Sequence, residues 1–161
     1  MTPGDGQRVV AVTGGGGGIG AAIAEELGRQ GAFVVTMDPL VSLDGSEQLP
    51  APEETTAGRI VAGGGSARAT LVSVTDGDAV RTLFEELGRL DAVVNVAGIT
   101  RPTSFARGTE EDWRAVVTVH LEGYLNVLAA ALPIMAAAGH GRILGVTSGS
   151  GWRQADAGAY S

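Results

Sequence analysis

The sequence predicts an α/β protein built on a doubly wound parallel sheet, and three observations carry that prediction. Short, nearly all-apolar runs alternate along the chain with longer segments of helical periodicity, the order that produces βαβ units with right-handed crossovers. The apolar runs lack the in–out alternation of a one-faced sheet, as strands covered on both sides do. Five consecutive glycines, at positions 14–18, separate the first apolar run from the first helical segment.

Residues 8–13 (RVVAVT) form the first predicted strand. In the helix that follows, Ile19, Ile23 and Leu27 recur every four residues and Gly31 stands at the C′ position, where a left-handed residue closes a helix. Residues 32–37 (AFVVTM) read as the second strand, and residues 39–51, rich in turn formers, as a loop. A helix is expected over 52–62, with Pro52 and two Glu in its first turn and glycines 63–65 ending it. Residues 69–74 (ATLVSV) read as strand three. Val80, Leu83, Phe84 and Leu87 then mark one helical face, with Asp76 or Asp78 as N-cap. Residues 92–96 (AVVNV) are strand four. Thr109-Glu110-Glu111-Asp112 opens a long helix in the manner of a capping box. Its expected inward face is Trp113, Val116, Val117, His120, Tyr124, Val127 and Ala131; Pro133 should kink or end it and Gly139 stop it. Residues 142–147 (RILGVT) are strand five.

Composition narrows the function classes. A chain of 161 residues is one domain by length. Its 26 glycines follow no triplet period, and 44% apolar residues with a net charge of −7 exclude both collagen and disorder. All eleven basic residues are Arg, and no Lys occurs. This acidic balance without basic clusters argues against nucleic acid and anionic membranes as partners. Zero Cys excludes disulfides and thiolate chemistry, and two distant His, at 120 and 140, are too few for a metal cage, so no metal is expected. No signal peptide is evident, no stretch reads as the ~18 apolar residues of a membrane span, and the expected address is the cytoplasm.

In a doubly wound sheet the ligand belongs at the carboxyl ends of the strands, near the switch point between strands one and four. The glycine run lies there. Gly15, Gly17 and Gly20 satisfy G-x-G-x-x-G, and Gly14, Gly18 and Gly20 satisfy G-x-x-x-G-x-G. In either register no Cβ blocks a pyrophosphate from the N–H groups of a helix N-terminus. Asp38 ends strand two, where a carboxylate accepts both adenosine ribose hydroxyls and repels a 2′-phosphate, favouring NAD over NADP; it also suits the start of a turn before Pro39. A P-loop is excluded because it requires a Lys.

At these residues the sequence resembles the classical short-chain dehydrogenase/reductase family. Thr13-Gly14, Gly18, Ile19 and Gly20 match its TGxxxGIG, Asn95-Val96-Ala97-Gly98 its NNAG with one change, and Ser148 and Tyr160 its catalytic pair. DPLVSLDGS after strand two and VHLEG in the long helix are similar to a subgroup that includes the (3R)-hydroxyacyl-CoA dehydrogenase unit of multifunctional enzyme type 2. The resemblance runs from residue 8 to 161 and implies a Rossmann-like sheet of order 3-2-1-4-5. It implies that Gly14, Gly18, Ile19 and Gly20 line the pyrophosphate, Asp38 the adenosine ribose, and Ser73-Val74 the adenine. Asn95, Ala97 and Gly98 would shape the floor under the nicotinamide ribose, Asn95 also serving as a strand-end hydrogen-bonder. Tyr160 would be the acid/base for a secondary alcohol or ketone substrate, and Ser148 would orient the substrate oxygen.

Two departures bear on chemistry. The family places a Lys four residues after the catalytic Tyr, beyond Ser161, and this sequence has none. A free Tyr titrates near 10, so a nearby cation is what makes it a base at neutral pH. With the family's last two strands also unmatched, the chain reads as the amino-terminal portion of such an enzyme, the full-length form of which is expected to be a homo-oligomer. The second departure is His120, where most relatives carry an Asn that anchors a proton-relay water; it reads as a relay or as a buried core histidine. His140, between two glycines, is expected to be an exposed turn residue, and Trp113 and Trp152 packing residues. The rival readings are an inactive remnant that at most binds a dinucleotide, and a methyltransferase.

Overall fold

The computed structural model describes residues 2–103 and 106–149; Trp152 and Tyr160 lie outside the described residues. The strands are β1 (Val9–Thr13), β2 (Phe33–Met37), β3 (Ser66–Thr70), β4 (Ala92–Asn95) and β5 (Arg142–Gly145). The helices are α1 (Gly18–Arg29), α2 (Thr56–Ala62), α3 (Gly77–Leu87), α4 (Glu110–Val117) and α5 (Gly123–Ala138), the last two joined by a π-helical turn, Thr118–Glu122. All strand pairs are parallel and their order is β3-β2-β1-β4-β5, as expected.

Because successive side chains of a strand point to opposite faces, the buried strands divide into two cores. Val9 and Ala11, with Phe33, Val35 and Val93, pack against Val80, Phe84, Val127 and Ala131 of α3 and α5. Val10 and Val12, with Val34 and Val94, pack against Ala24, Ala57 and Ile60 of α1 and α2. Every residue of β1 and β2 is buried, which is why neither strand alternates in sequence.

Four elements differ from expectation, each for a physical reason. Strand three lies at 66–70 rather than 69–74. Its last residue, Thr70, pairs with Met37, the last of β2, so beyond it no ladder remains; Leu71 is exposed, and Ser73 and Val74 sit in the following loop. Helix α2 begins at Thr56, because the Thr55 hydroxyl accepts the Gly58 N–H at 3.0 Å; a side-chain cap overrides the Pro and Glu signals before it. On α1 the buried residues are Gly20, Ala21, Ala24 and Gly28, while Ile19 is 64% exposed. Close approach selects the small face: a Cβ at Gly28 would lie 2.5 Å from Cγ2 of Ile60.

The long helix departs most. Thr109 and Asp112 form the expected reciprocal capping box, but the π-helical turn inserts extra residues and rotates the face below it. The buried set becomes Val116, Gly123, Val127, Ala130, Ala131 and Met135, while Val117 and His120 are exposed and Trp113 is only partly buried. Pro133 does not end α5, which runs on to Gly139, a left-handed C-cap at φ 69°. From Glu110 to Ala138 the run spans 29 residues and is long and apolar enough to cross a membrane by length and composition, contrary to the sequence expectation. One face of it packs into the core through Val127, Ala131 and Met135, while Leu121, Leu125 and Leu132 are exposed.

At the opposite end of the sheet from the glycine turn, His140 is more than an exposed turn residue. Its Nε2 lies 2.6 Å from Oδ1 of Asp91, whose carboxylate also accepts Val9 N–H at 2.8 Å and Arg89 at 2.9 and 3.0 Å. Burial pushes the Asp91 pKa up, but hydrogen bonds from Arg89, His140 and Val9 outweigh it and hold the group at about 2. The hydrogen bond to Asp91 raises His140 above its ordinary 6.5. The signs are opposite. Asp91 contributes stability above its unfolded value of 3.8 that is lost as pH falls toward about 2. The His140 contribution is complete below 6.5 and is lost as pH rises through its folded value. His140→Ala should therefore lower the melting temperature at pH 5.5 more than at pH 9. Equal shifts at both would contradict the pairing.

Candidate functional site

The turn after β1 is built by main-chain contacts. Gly14 N–H donates to the Met37 carbonyl at 2.8 Å. Gly14 has φ 63°, and a Cβ on it would lie 3.0 Å from Cα of Ala97, so the β1 and β4 turns touch at the switch point. A Cβ on Gly20 would overlap the Gly14 carbonyl oxygen, and one on Gly16 would meet the Asp38 carboxylate at 2.6 Å. Gly17 and Gly18 face open space, and Gly17, the N-cap of α1, makes no side-chain capping bond. The N-terminus of α1 thus presents an uncapped positive dipole end beside a surface free of side chains, as an anion requires.

Asp38 stands beside this turn. Its Oδ2 accepts Gly16 N–H and its Oδ1 accepts Leu40 N–H, both at 2.9 Å. The turn-starting role is therefore observed. A carboxylate offers about four lone-pair sites, so these two bonds orient the group and leave acceptor capacity for ribose hydroxyls. Next to it opens a cavity of about 590 Å³ whose lining includes Gly14, Met37, Ser73, Val74, Ala97 and Gly98. Five sequence candidates, Gly14, Ser73, Val74, Ala97 and Gly98, are brought together there.

A second cavity, of about 500 Å³, is lined by Asn95, Ala97, His120, Tyr124 and Ser148 among others. Ala97 borders both. Asn95 Oδ1 accepts the Thr13 hydroxyl at 2.8 Å, which is the strand-end role. The His120 ring is fastened to the main chain of Ile99: Nε2 lies 3.2 Å from Ile99 N and 2.9 Å from its carbonyl oxygen. It accepts in one tautomer and donates in the other. Gly98 makes room for the ring, since a Cβ there would lie 2.6 Å from Cε1 of His120. His120 is thus not the buried core histidine of one sequence reading but a side chain at the cavity wall, with Ser148 in the same lining.

Thr13 was missing from the sequence candidates although it begins TGxxxGIG. It is fully buried, and its hydroxyl donates to Asn95 while accepting the N–H groups of Val96 and Ala97 at 3.1 and 3.0 Å. A Thr at the end of a buried strand, before glycine, was the available signal. Asn126, which donates to the Val74 carbonyl at 2.9 Å, had no signal.

A parallel sheet with a glycine turn at its switch point, an acid at the end of β2 and a cleft across the strand ends defines a dinucleotide-fold protein. The short chain dehydrogenase family model matches residues 8–161, and the chain belongs to that family of oxidoreductases, which sets aside the methyltransferase reading. It is 40% identical to the peroxisomal multifunctional enzyme type 2 of Mus musculus over 145 residues, covering 89% of this chain and 20% of that protein. Among solved structures, a short chain dehydrogenase from Mycobacterium paratuberculosis bound to NAD matches with TM-score 0.81 and 26% identity. It is covered to 59% by 94% of this chain. A metagenomic short-chain oxidoreductase in complex with NADP matches with TM-score 0.79 and 30% identity, at 94% and 66% coverage. The chain spans 20% of the length of that curated relative and 59% and 66% of these two solved structures.

Proposed function

We propose that this chain is the cofactor-binding portion of an NAD-dependent dehydrogenase that interconverts a secondary alcohol and its ketone, with a 3-hydroxyacyl-CoA as the substrate class. The observation that carries the reading is the Asp38 carboxylate, fixed by Gly16 and Leu40 and standing between Met37 and Pro39, which line the larger cavity. The residues fit the cofactor: Gly14, Gly18, Ile19 and Gly20 would border its pyrophosphate, and Asp38 its adenosine ribose. Ser73 and Val74 would border the adenine, and Asn95, Ala97 and Gly98 the nicotinamide ribose. The exposed Ile19 at the mouth of the glycine turn suits a residue that lies against a ligand.

When bound, NAD supplies the hydride acceptor. The protein's part is proton transfer and orientation. Ser148 would hold the substrate oxygen, Tyr160 would exchange its proton, and His120, held to Ile99 through Nε2, would stand in the proton relay. The acyl-CoA class rests on the VHLEG and DPLVSLDGS segments and on the similarity to multifunctional enzyme type 2. Exposed Leu121, Leu125 and Leu132 on the long helix support a homo-oligomer, and the proposed address is the cytoplasm.

Asp38 gives the test. A carboxylate facing a 2′-phosphate is a like-charge contact, so the chain should bind NAD about tenfold or more tightly than NADP by titration calorimetry. Asp38→Ala should bring the two affinities together, mainly by weakening NAD. Equal affinities in the unaltered chain would refute the assignment.

A further inference from the structure

We propose that Asn126 is a positioning residue for the adenosine side of the cleft, acting through the main chain of Val74; this rests on the dinucleotide reading above. Val74 follows the end of β3, so no sheet partner is available to its carbonyl, and a buried carbonyl must find one. Asn126 on α5 supplies it, donating through Nδ2 at 2.9 Å. Two glycines make the contact possible. A Cβ on Gly123, one turn earlier on α5, would lie 2.6 Å from Cγ2 of Val74, and a Cβ on Gly77, the first residue of α3, would lie 3.0 Å from Oδ1 of Asn126. Val74 itself is 5% exposed, inside the core, while Ser73, Val74 and Thr75 form one wall of the larger cavity.

Another part of the lining is held from the same helical run. His120 grips the main chain of Ile99, which lines the cavity with Ala97 and Gly98. Thr118 and Val119, between α4 and His120, line it as well. One helical run therefore fastens two parts of the lining, Val74 through Asn126 and Ile99 through His120. Loss of the Asn126 bond frees the 72–75 segment, which no strand pairing retains, and the adenine pocket loses its shape.

The experiment measures binding of AMP, NAD and nicotinamide mononucleotide by calorimetry, with melting temperature alongside. Asn126→Ala should weaken AMP and NAD about tenfold and leave nicotinamide mononucleotide unchanged. Gly77→Ala leaves the amide in place but crowds it, and alanine is the better helix former; it should weaken AMP while the fold stays intact. The double variant should bind AMP no worse than Asn126→Ala alone, because the crowded group is gone. If both single variants bind AMP as the parent does, or if their effects multiply, the positioning role is overturned. A parent chain that binds neither NAD nor AMP overturns the cofactor reading and this one with it. Should Asn126→Ala fail to fold, Gly77→Ala alone decides, since unchanged AMP affinity in it counts against the role.

Discussion

Replacing Thr13 with Val should destabilise the protein by about 3 kcal/mol or more while leaving its shape unchanged. Val is nearly isosteric with Thr, so no cavity forms. The loss is one hydroxyl that serves three partners: Asn95 Oδ1 and the N–H groups of Val96 and Ala97. Each buried polar group left unpaired costs roughly 1–3 kcal/mol, and Thr13 is fully buried. Thr13→Ser keeps all three bonds and should lose only about 1 kcal/mol for its methyl group. Urea unfolding of the two variants measures the difference, and similar midpoints would show that the hydroxyl is not the hub described. Because Asn95 and Ala97 line the second cavity, the Val variant should also weaken dinucleotide binding.

The glycine turn offers the second large effect. Gly20→Ala should cost roughly 3 kcal/mol, since the new methyl overlaps the Gly14 carbonyl oxygen and both neighbours are backbone that cannot rotate away. Gly17→Ala is the informative contrast. Nothing lies within 4 Å of a Cβ there, and φ is −156°, an extended value open to any residue. Its melting temperature should match the parent's, yet NAD affinity should fall about tenfold or more, because only a ligand approaching the α1 N-terminus requires that bare surface. Retained NAD affinity in Gly17→Ala would remove the pyrophosphate from this turn.

Much of the architecture could be read before the structure. Buried strands announced themselves as apolar runs, and α3 was marked by Val80, Leu83 and Phe84 behind the Asp76 cap, which the structure shows accepting Ala79 N–H at 3.0 Å. Gly31, at φ 84° just past α1, was legible for the same reason: chain-local geometry permits few residues there. Errors fell where the deciding partner is distant in sequence. The strand-like run 69–74 leaves the sheet because β2 ends at Met37. Ile19 turns outward because glycines and alanines let α1 approach its neighbours, and the π-helical turn moved His120 off the buried face.

The candidate site divides the same way. The glycines between positions 14 and 20 and Asp38 could be singled out from order and type, because each offers a backbone freedom or a functional group that few other residues supply, whereas Asn95, Ala97, Gly98 and Ser148 were legible through the family resemblance. That His120 is held by Ile99, that Asn126 holds Val74, and that Asp91 gathers Arg89, Val9 and His140 belongs to the tertiary structure. Residue type and local spacing determined which elements form and which groups are available for chemistry. Only packing decided which of those groups meet, because a hydrogen bond between residues far apart in the chain depends on registers and helix rotations that no local pattern encodes.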